Sequence, residues 1–187
     1  MSLERLWAGW RMPYVDAAAS EDPEVAAQPA AQEAGAGVHD AGCVFCAMWR
    51  SDEPGQSNYV LWRGSRVFAV LNAYPYASGH LMVMPGRHVG ELEELTVEER
   101  SELWRGVEQA VAAVKAAYRP DGLNFGANLG RAAGAGFPRH LHVHVVPRWS
   151  GDTNFMTSVA EARVLPEALP ASWARLHEVW PDRPEQA

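Results

Sequence analysis

The sequence predicts an α+β fold, an antiparallel sheet of about five strands with one long helix and a short C-terminal helix. Short apolar runs between Gly- and Pro-bearing turns supply the strands. A capped apolar stripe at three- and four-residue steps supplies the long helix, and a last β-prone run carries histidines at alternate positions.

In chain order, residues 3–15 hold Trp7, Trp10 and Tyr14 beside Arg5 and Arg11, a segment expected to dock on the body or on a second subunit. Residues 16–41 are Ala, Glu, Gln, Gly and Pro with almost no large apolar side chain. Burial there cannot offset the entropy of ordering, and a mobile linker is expected. The chain thus divides into an N-terminal segment and linker (1–42), a compact domain (43–150) and a C-terminal extension packed on it (151–187). Tyr59 to Arg63 and Arg66 to Asn72 read as two strands about the turn Gly64-Ser65, and Tyr74-Pro75-Tyr76-Ala77-Ser78-Gly79 reads as a loop. His80 to Met84 forms a third strand, stopped by Pro85-Gly86.

Thr96-Val97-Glu98-Glu99 fits a capping box, and Leu103, Val107, Val111, Val114 and Tyr118 then make one apolar face that ends before Pro120. This helix is read as core, with no chemistry of its own. Leu123 to Leu129 is the next strand, Gly130 to Gly136 a glycine-bearing loop, and Pro138 to Trp149 the last strand. Trp173 to Trp180 is a short amphipathic terminal helix, with His177 on its surface.

At 187 residues with 48% apolar content and eight Trp, one packed domain is expected. The sequence shows no apolar run of membrane-spanning length and no signal-peptide pattern, so no membrane association and a cytoplasmic location are expected. A net charge of −7 argues against nucleic-acid binding. It leaves room for a small anion held by a local pocket of His, Arg and backbone N–H groups. The two cysteines form one Cys43-x-x-Cys46 unit, which in a cytosolic protein reads as metal or redox chemistry before disulfide.

The run His140-Leu141-His142-Val143-His144 places three of the seven histidines two residues apart, on one face of a strand. Three readings follow: a solvated face, a three-histidine metal site, or one nucleophile with two helpers. Same-face neighbours lie about 6.6 Å apart along a strand, so the outer two reach a shared ion poorly. The nucleophile reading suits attack on phosphorus.

His140-x-His142-x-His144 with two following aliphatics, the glycine-bearing loop before it and Asn128 at a strand end resemble the signature of the histidine triad superfamily of nucleotide hydrolases and transferases. Asn72, Gly79-His80 and Pro85 match the same pattern, and the resemblance spans roughly residues 43–149. Leu3-Glu4-Arg5-Leu6-Trp7 and Arg11-Met12 at one end, with Pro147-Arg148-Trp149, Gly151-Asp152 and Asn154-Phe155 at the other, most resemble the bacterial diadenosine tetraphosphate phosphorylase branch.

The resemblance implies a HIT-like fold and cleavage of an adenine (di)nucleotide polyphosphate, by phosphorolysis or hydrolysis. His142 would attack the α-phosphorus through Nε2, its Nδ1–H held by the carbonyl of His140. His144, Asn128 and the N–H groups of Gly134, Ala135 and Gly136 would hold the phosphate. Asn72 would take the ribose, Phe68 and Leu71 would lie near the base, and His80 and Trp149 would complete the nucleotide side. Many members carry a Ser where Gly136 stands, so leaving-group assistance from that position is absent here. The resemblance also implies a structural zinc on Cys43, Cys46, His88 and His140, with His39 as a substitute ligand, and a homodimer or higher homo-oligomer. The rival readings are a nucleotide sensor with weak or no catalysis and a zinc-dependent phosphohydrolase.

Overall fold

The computed structural model describes residues 42–152 and 167–181. The aromatic N-terminal segment, the linker with His39, and Asn154-Phe155 lie outside the described residues. Among the described residues, no helix is long and apolar enough to cross a membrane.

Helix α1 (Val44–Arg50) opens the domain with Cys43 at its N-cap, followed by the single turn α2 (Gly55–Asn58). Strands β1 (Val60–Arg63), β2 (Val67–Leu71) and β3 (Leu81–Pro85) form the meander expected from their turns. The first turn is longer than Gly64-Ser65 alone. Arg63 pairs with Phe68, and Arg66 stays out of the ladder, its N–H donating to Glu102 Oε1 at 3.1 Å. Helix α3 (Val97–Tyr118) crosses to β4 (Gly122–Gly126), then β5 (Val143–Arg148), and α4 (Leu169–Glu178) closes the described chain. All pairings are antiparallel, in the order β1-β2-β3-β5-β4, so the last strand lies between β3 and β4.

Period-two alternation splits the side chains between two layers. Ala69, Leu71, Leu81, Val83, Val143 and Val145 meet α3 and α4 on one face; Phe68, Val70, Met82 and Met84 meet Cys43, Phe45 and Cys46 from the α1 segment on the other. Each fully buried large side chain contributes roughly 1.5–3 kcal/mol. The apolar residues of β5 therefore anchor it to the long helix, while His144 between them projects to the opposite layer.

Two expectations shift. The last strand begins only at Val143, so His140 and His142 precede the ladder and the three histidines do not share one regular strand face. The terminal helix starts at Leu169, with Pro170 in its first turn, rather than at Trp173.

The long helix starts where its capping box places it. Thr96 Oγ1 accepts from the Glu99 N–H at 3.2 Å, and Glu99 Oε2 accepts from the Thr96 N–H at 2.9 Å. It packs tightly on the sheet at Gly106, where a Cβ would lie 2.9 Å from Val83 Cγ1 and 3.3 Å from the Trp62 ring. Elsewhere in a helix, Gly→Ala gains about 1 kcal/mol. Here overpacking costs about 1–3 kcal/mol, so Gly106→Ala is expected to lower stability in denaturant unfolding; a stabilised variant would contradict this packing.

Candidate active site and metal centre

Four donors converge at the N-terminus of α1. Cys43 and Cys46 are three residues apart, one helical turn, and so share a side. His140 Nδ1 lies 3.4 Å from Cys43 Sγ and 3.7 Å from Cys46 Sγ, and His88 Nδ1 lies 3.3 Å from Cys46 Sγ. All four donor atoms fall within 4.8 Å of one another. A tetrahedron with about 2.3 Å to sulfur and about 2.0 Å to nitrogen has sulfur–nitrogen edges of about 3.5 Å, so the set fits a closed Cys₂His₂ zinc centre. The outer nitrogen of His140 supports that assignment: Nε2–H donates to the Pro85 carbonyl at 2.9 Å, which leaves the Nδ1 lone pair for a metal.

The backbone of the same residue holds the next histidine. His142 Nδ1–H donates to the His140 carbonyl at 2.8 Å, which fixes the tautomer and leaves Nε2 unprotonated. Phe45 packs on the rings of both His140 and His142, with centroids 5.3 and 5.7 Å away. Burial holds His142 below the ordinary imidazole value, against the opposing effect of its bond to His140. Burial, reinforced by His142, pushes His144 down to about 4. Both rings are therefore neutral near pH 7.

A second chain of hydrogen bonds sets the tautomer of His144. The Tyr76 N–H donates to His80 Nδ1 at 3.0 Å, so the proton of neutral His80 sits on Nε2, which donates to His144 Nδ1 at 3.0 Å. The remaining nitrogen of His144, Nε2, then carries its proton as a donor. His142 and His144 stand edge to face with centroids 4.9 Å apart. One presents a lone pair and its neighbour an N–H, the pair of functions needed to attack phosphorus and hold its oxygens.

The other expected residues fall into three groups. Strand β4 ends at Gly126, not Leu129, so Asn128 lies in the loop two residues past the strand, whose last pair is Gly126 with His144. Its Nδ2 reaches the Gly134 carbonyl at 3.4 Å. Asn72 turns Oδ1 to the Tyr74 N–H at 2.9 Å and Nδ2 toward His80. Gly136 is exposed, and a Cβ there would meet nothing within 4 Å.

Five expectations are corrected. His80 is fully buried and acts on the site through His144, not by facing a nucleotide. Leu71 lies in the layer under α3, opposite Phe68, because adjacent strand residues alternate; Phe68 is itself sealed beneath Trp49. The Gly134 and Ala135 amides donate within their own loop, to the Arg131 and Gly130 carbonyls at 2.9 and 3.3 Å, so of the three only Gly136 shows no such bond among the described residues. Trp149 stands past the end of β5, edge-on to Tyr118, well away from His142. Tyr76, unassigned from sequence, is half-exposed with its ring stacked near His144 at 6.0 Å. Its backbone role left no side-chain signal, although the Tyr-Pro-Tyr loop marked the place.

Comparison with known proteins places the chain in a family. A HIT domain model matches residues 55–151. The AP-4-A phosphorylase of Mycobacterium tuberculosis is 42% identical over 184 residues, covering 97% of this chain and 87% of that protein. Among solved structures, a zinc-bound histidine triad family protein from Mycobacterium smegmatis superposes with a TM-score of 0.60 at 27% identity, covering 74% of this chain and 92% of that one. A histidine triad nucleotide-binding protein from Sulfolobus tokodaii gives 0.59 at 28% identity, with 73% and 91% coverage. With the domain match spanning the sheet and its histidines, and the sequence likeness running almost end to end, the chain belongs to the HIT-domain family.

Proposed function

We propose that this protein is a nucleotidyltransferase that cleaves dinucleoside polyphosphates, diadenosine tetraphosphate foremost, with inorganic phosphate as the final acceptor. The observation that carries the reading is the His142 Nδ1–H bond to the His140 carbonyl, which commits Nε2 to attack. The AP-4-A phosphorylase likeness over 97% of the chain supports the substrate class and the acceptor.

In the first step the Nε2 lone pair of His142 forms a bond to the α-phosphorus. The bond to the bridging oxygen breaks, and ATP departs with its electrons. His144 Nε2–H donates to the non-bridging oxygens as charge gathers there, with Asn128 beside it. In the second step an oxygen of inorganic phosphate attacks the same phosphorus, the P–N bond breaks and ADP leaves, restoring neutral His142. Cys43, Cys46, His88 and His140 would hold a structural zinc, which would brace the residue whose carbonyl aligns His142. Reduced thiols in that role suit a cytoplasmic setting. Exposed Trp104 and Phe125, packed edge to face 6.3 Å apart beside the free edge of β4, offer an apolar surface for a homo-oligomer.

A zinc-dependent hydrolase would need His142 and His144 as ligands. His144 accepts at Nδ1 from His80 and so carries its proton on Nε2, which leaves it no lone pair for a metal, and the four-donor set is complete without either ring.

Three outcomes test the reading. Diadenosine tetraphosphate labelled in the adenosines should leave a trapped nucleotidyl group on the protein that is lost in His142→Ala, and products with phosphate present should be ADP plus ATP. An adduct persisting in that variant refutes His142 as nucleophile, AMP plus ATP points to water as acceptor, and binding without turnover to a sensor. The pH dependence follows from the depressed imidazoles: the reactive form is neutral, and a pKa lowered from 6.5 keeps it so in mildly acidic solution. The acid limb of kcat/KM should therefore fall below pH 6.5; a limb at or above that value would count against it. Finally, since a side chain fits at Gly136, Gly136→Ser should fold normally. It should raise turnover of nucleoside phosphoramidates, whose amine is a poor leaving group, on the order of tenfold or more, with far less effect on diadenosine tetraphosphate.

A further inference from the structure

His88 stands on a segment with no regular structure, between the end of β3 and the turn before α3, yet as a metal ligand it must be held to a fraction of an ångström. The bonds that fix its neighbours run to the start of the long helix. Arg87 Nε donates to Glu99 Oε1 at 2.8 Å and Arg87 Nη2 to Glu99 Oε2 at 2.7 Å, a two-pronged pair. Nη2 also donates to the Glu94 carbonyl at 2.8 Å. On the other side of His88, the Val89 carbonyl accepts from the Leu141 N–H at 2.6 Å, beside His140, and the Gly90 N–H donates to Glu94 Oε2 at 3.2 Å. Glu99 is buried, and its carboxylate closes the α3 cap while gripping Arg87. A capping glutamate needs only the Thr96 N–H; nothing in helix capping calls for the arginine fork.

We propose that Glu99, through Arg87, is a positioning residue for the metal centre: the N-terminus of α3 sets where His88 stands and thereby the affinity of the Cys43–Cys46–His88–His140 site for zinc. The inference rests on the zinc reading of that site. Glu99 touches neither metal nor substrate, and it acts by limiting how far the residue bonded to His88 can move. Lysine at position 87 would keep the charge but lose the fork.

The test is zinc binding to metal-free protein by competition with a chromophoric chelator. Wild type is expected to bind one zinc per chain. Glu99→Gln and Arg87→Lys should weaken binding roughly tenfold, the low end of what losing a supporting partner of a ligand costs. Thr96→Ala removes the reciprocal half of the cap and lowers thermal stability, but it leaves the backbone N–H and the arginine fork in place, so it should bind zinc as wild type does. Unchanged affinity in Glu99→Gln overturns the proposal, as does an equal loss in Thr96→Ala, which would mark a general effect of helix fraying. If wild type itself takes up no zinc, the metal reading of the four donors fails first. Retained binding in wild type with no difference among variants leaves that reading standing and removes only the role of Glu99.

Discussion

His140 is bonded in three directions at once, and both the thiol cluster and His142, the proposed nucleophile, are tied to it. Its Nδ1 faces Cys43 and Cys46, its Nε2–H is anchored on the Pro85 carbonyl at the end of β3, and its own carbonyl receives the His142 Nδ1–H. Each bond constrains a different object: a helix, a strand and the ring of His142. Because the ring is buried at 1% exposure, leaving any of these unmade would strand a polar group away from water, at a cost of about 1–3 kcal/mol. The four candidate metal donors and the His142 ring are thus parts of one polar network.

The sheet supplies the second constraint. Val143 and Val145 are committed to the layer under α3, which leaves His144 no choice but the opposite face, where Met82 lies directly across the ladder. His80, just before β3, then arrives behind His144 at hydrogen-bonding distance. Proton placement at the active centre follows from backbone groups at both ends: the His140 carbonyl sets one ring, and the Tyr76 N–H, through His80, sets the other.

Much of this was legible in the sequence where the signal was periodic or chemically dense. The capping box and apolar stripe located α3, short apolar runs between turn residues located the strands, and the triad with Cys43-x-x-Cys46 and His88 brought four candidate metal donors together. Backbone roles escaped because they leave no side-chain trace: the Tyr76 N–H, the Pro85 carbonyl, and the amides of Gly134 and Ala135 spent inside their loop. Regular strand geometry was extended too far at His140 and His142, which are held by side-chain and carbonyl bonds in place of a ladder. Leu71 was misplaced for a plainer reason. Its neighbours are all buried, so alternation carries no polar contrast from which to read the face. Glu99 looked complete as a cap, and its second partner, Arg87, comes from a segment ten residues before the first residue of the helix that no local pattern connects to it.

The glycines at the two ends of β3 give that strand an unusual kind of rigidity. Gly79, at φ +81°, lies against the Tyr118 ring, where a Cβ would come within 2.5 Å, and Gly86 lies against the Trp49 ring. Each end is thus a place where only the smallest residue passes beneath an aromatic lid, one ring from the long helix and one from α1. A single-residue insertion or deletion between them would drive a side chain into one of the lids. The strand therefore behaves as a ruler of fixed length, and the number of residues between His80 and the Pro85 carbonyl is held constant by its ends. An apolar substitution inside β3 leaves both lids in place, whereas a change in its length displaces one of them, so the spacing between His80 and Pro85 is set by packing at the two ends and not by the strand's own side chains.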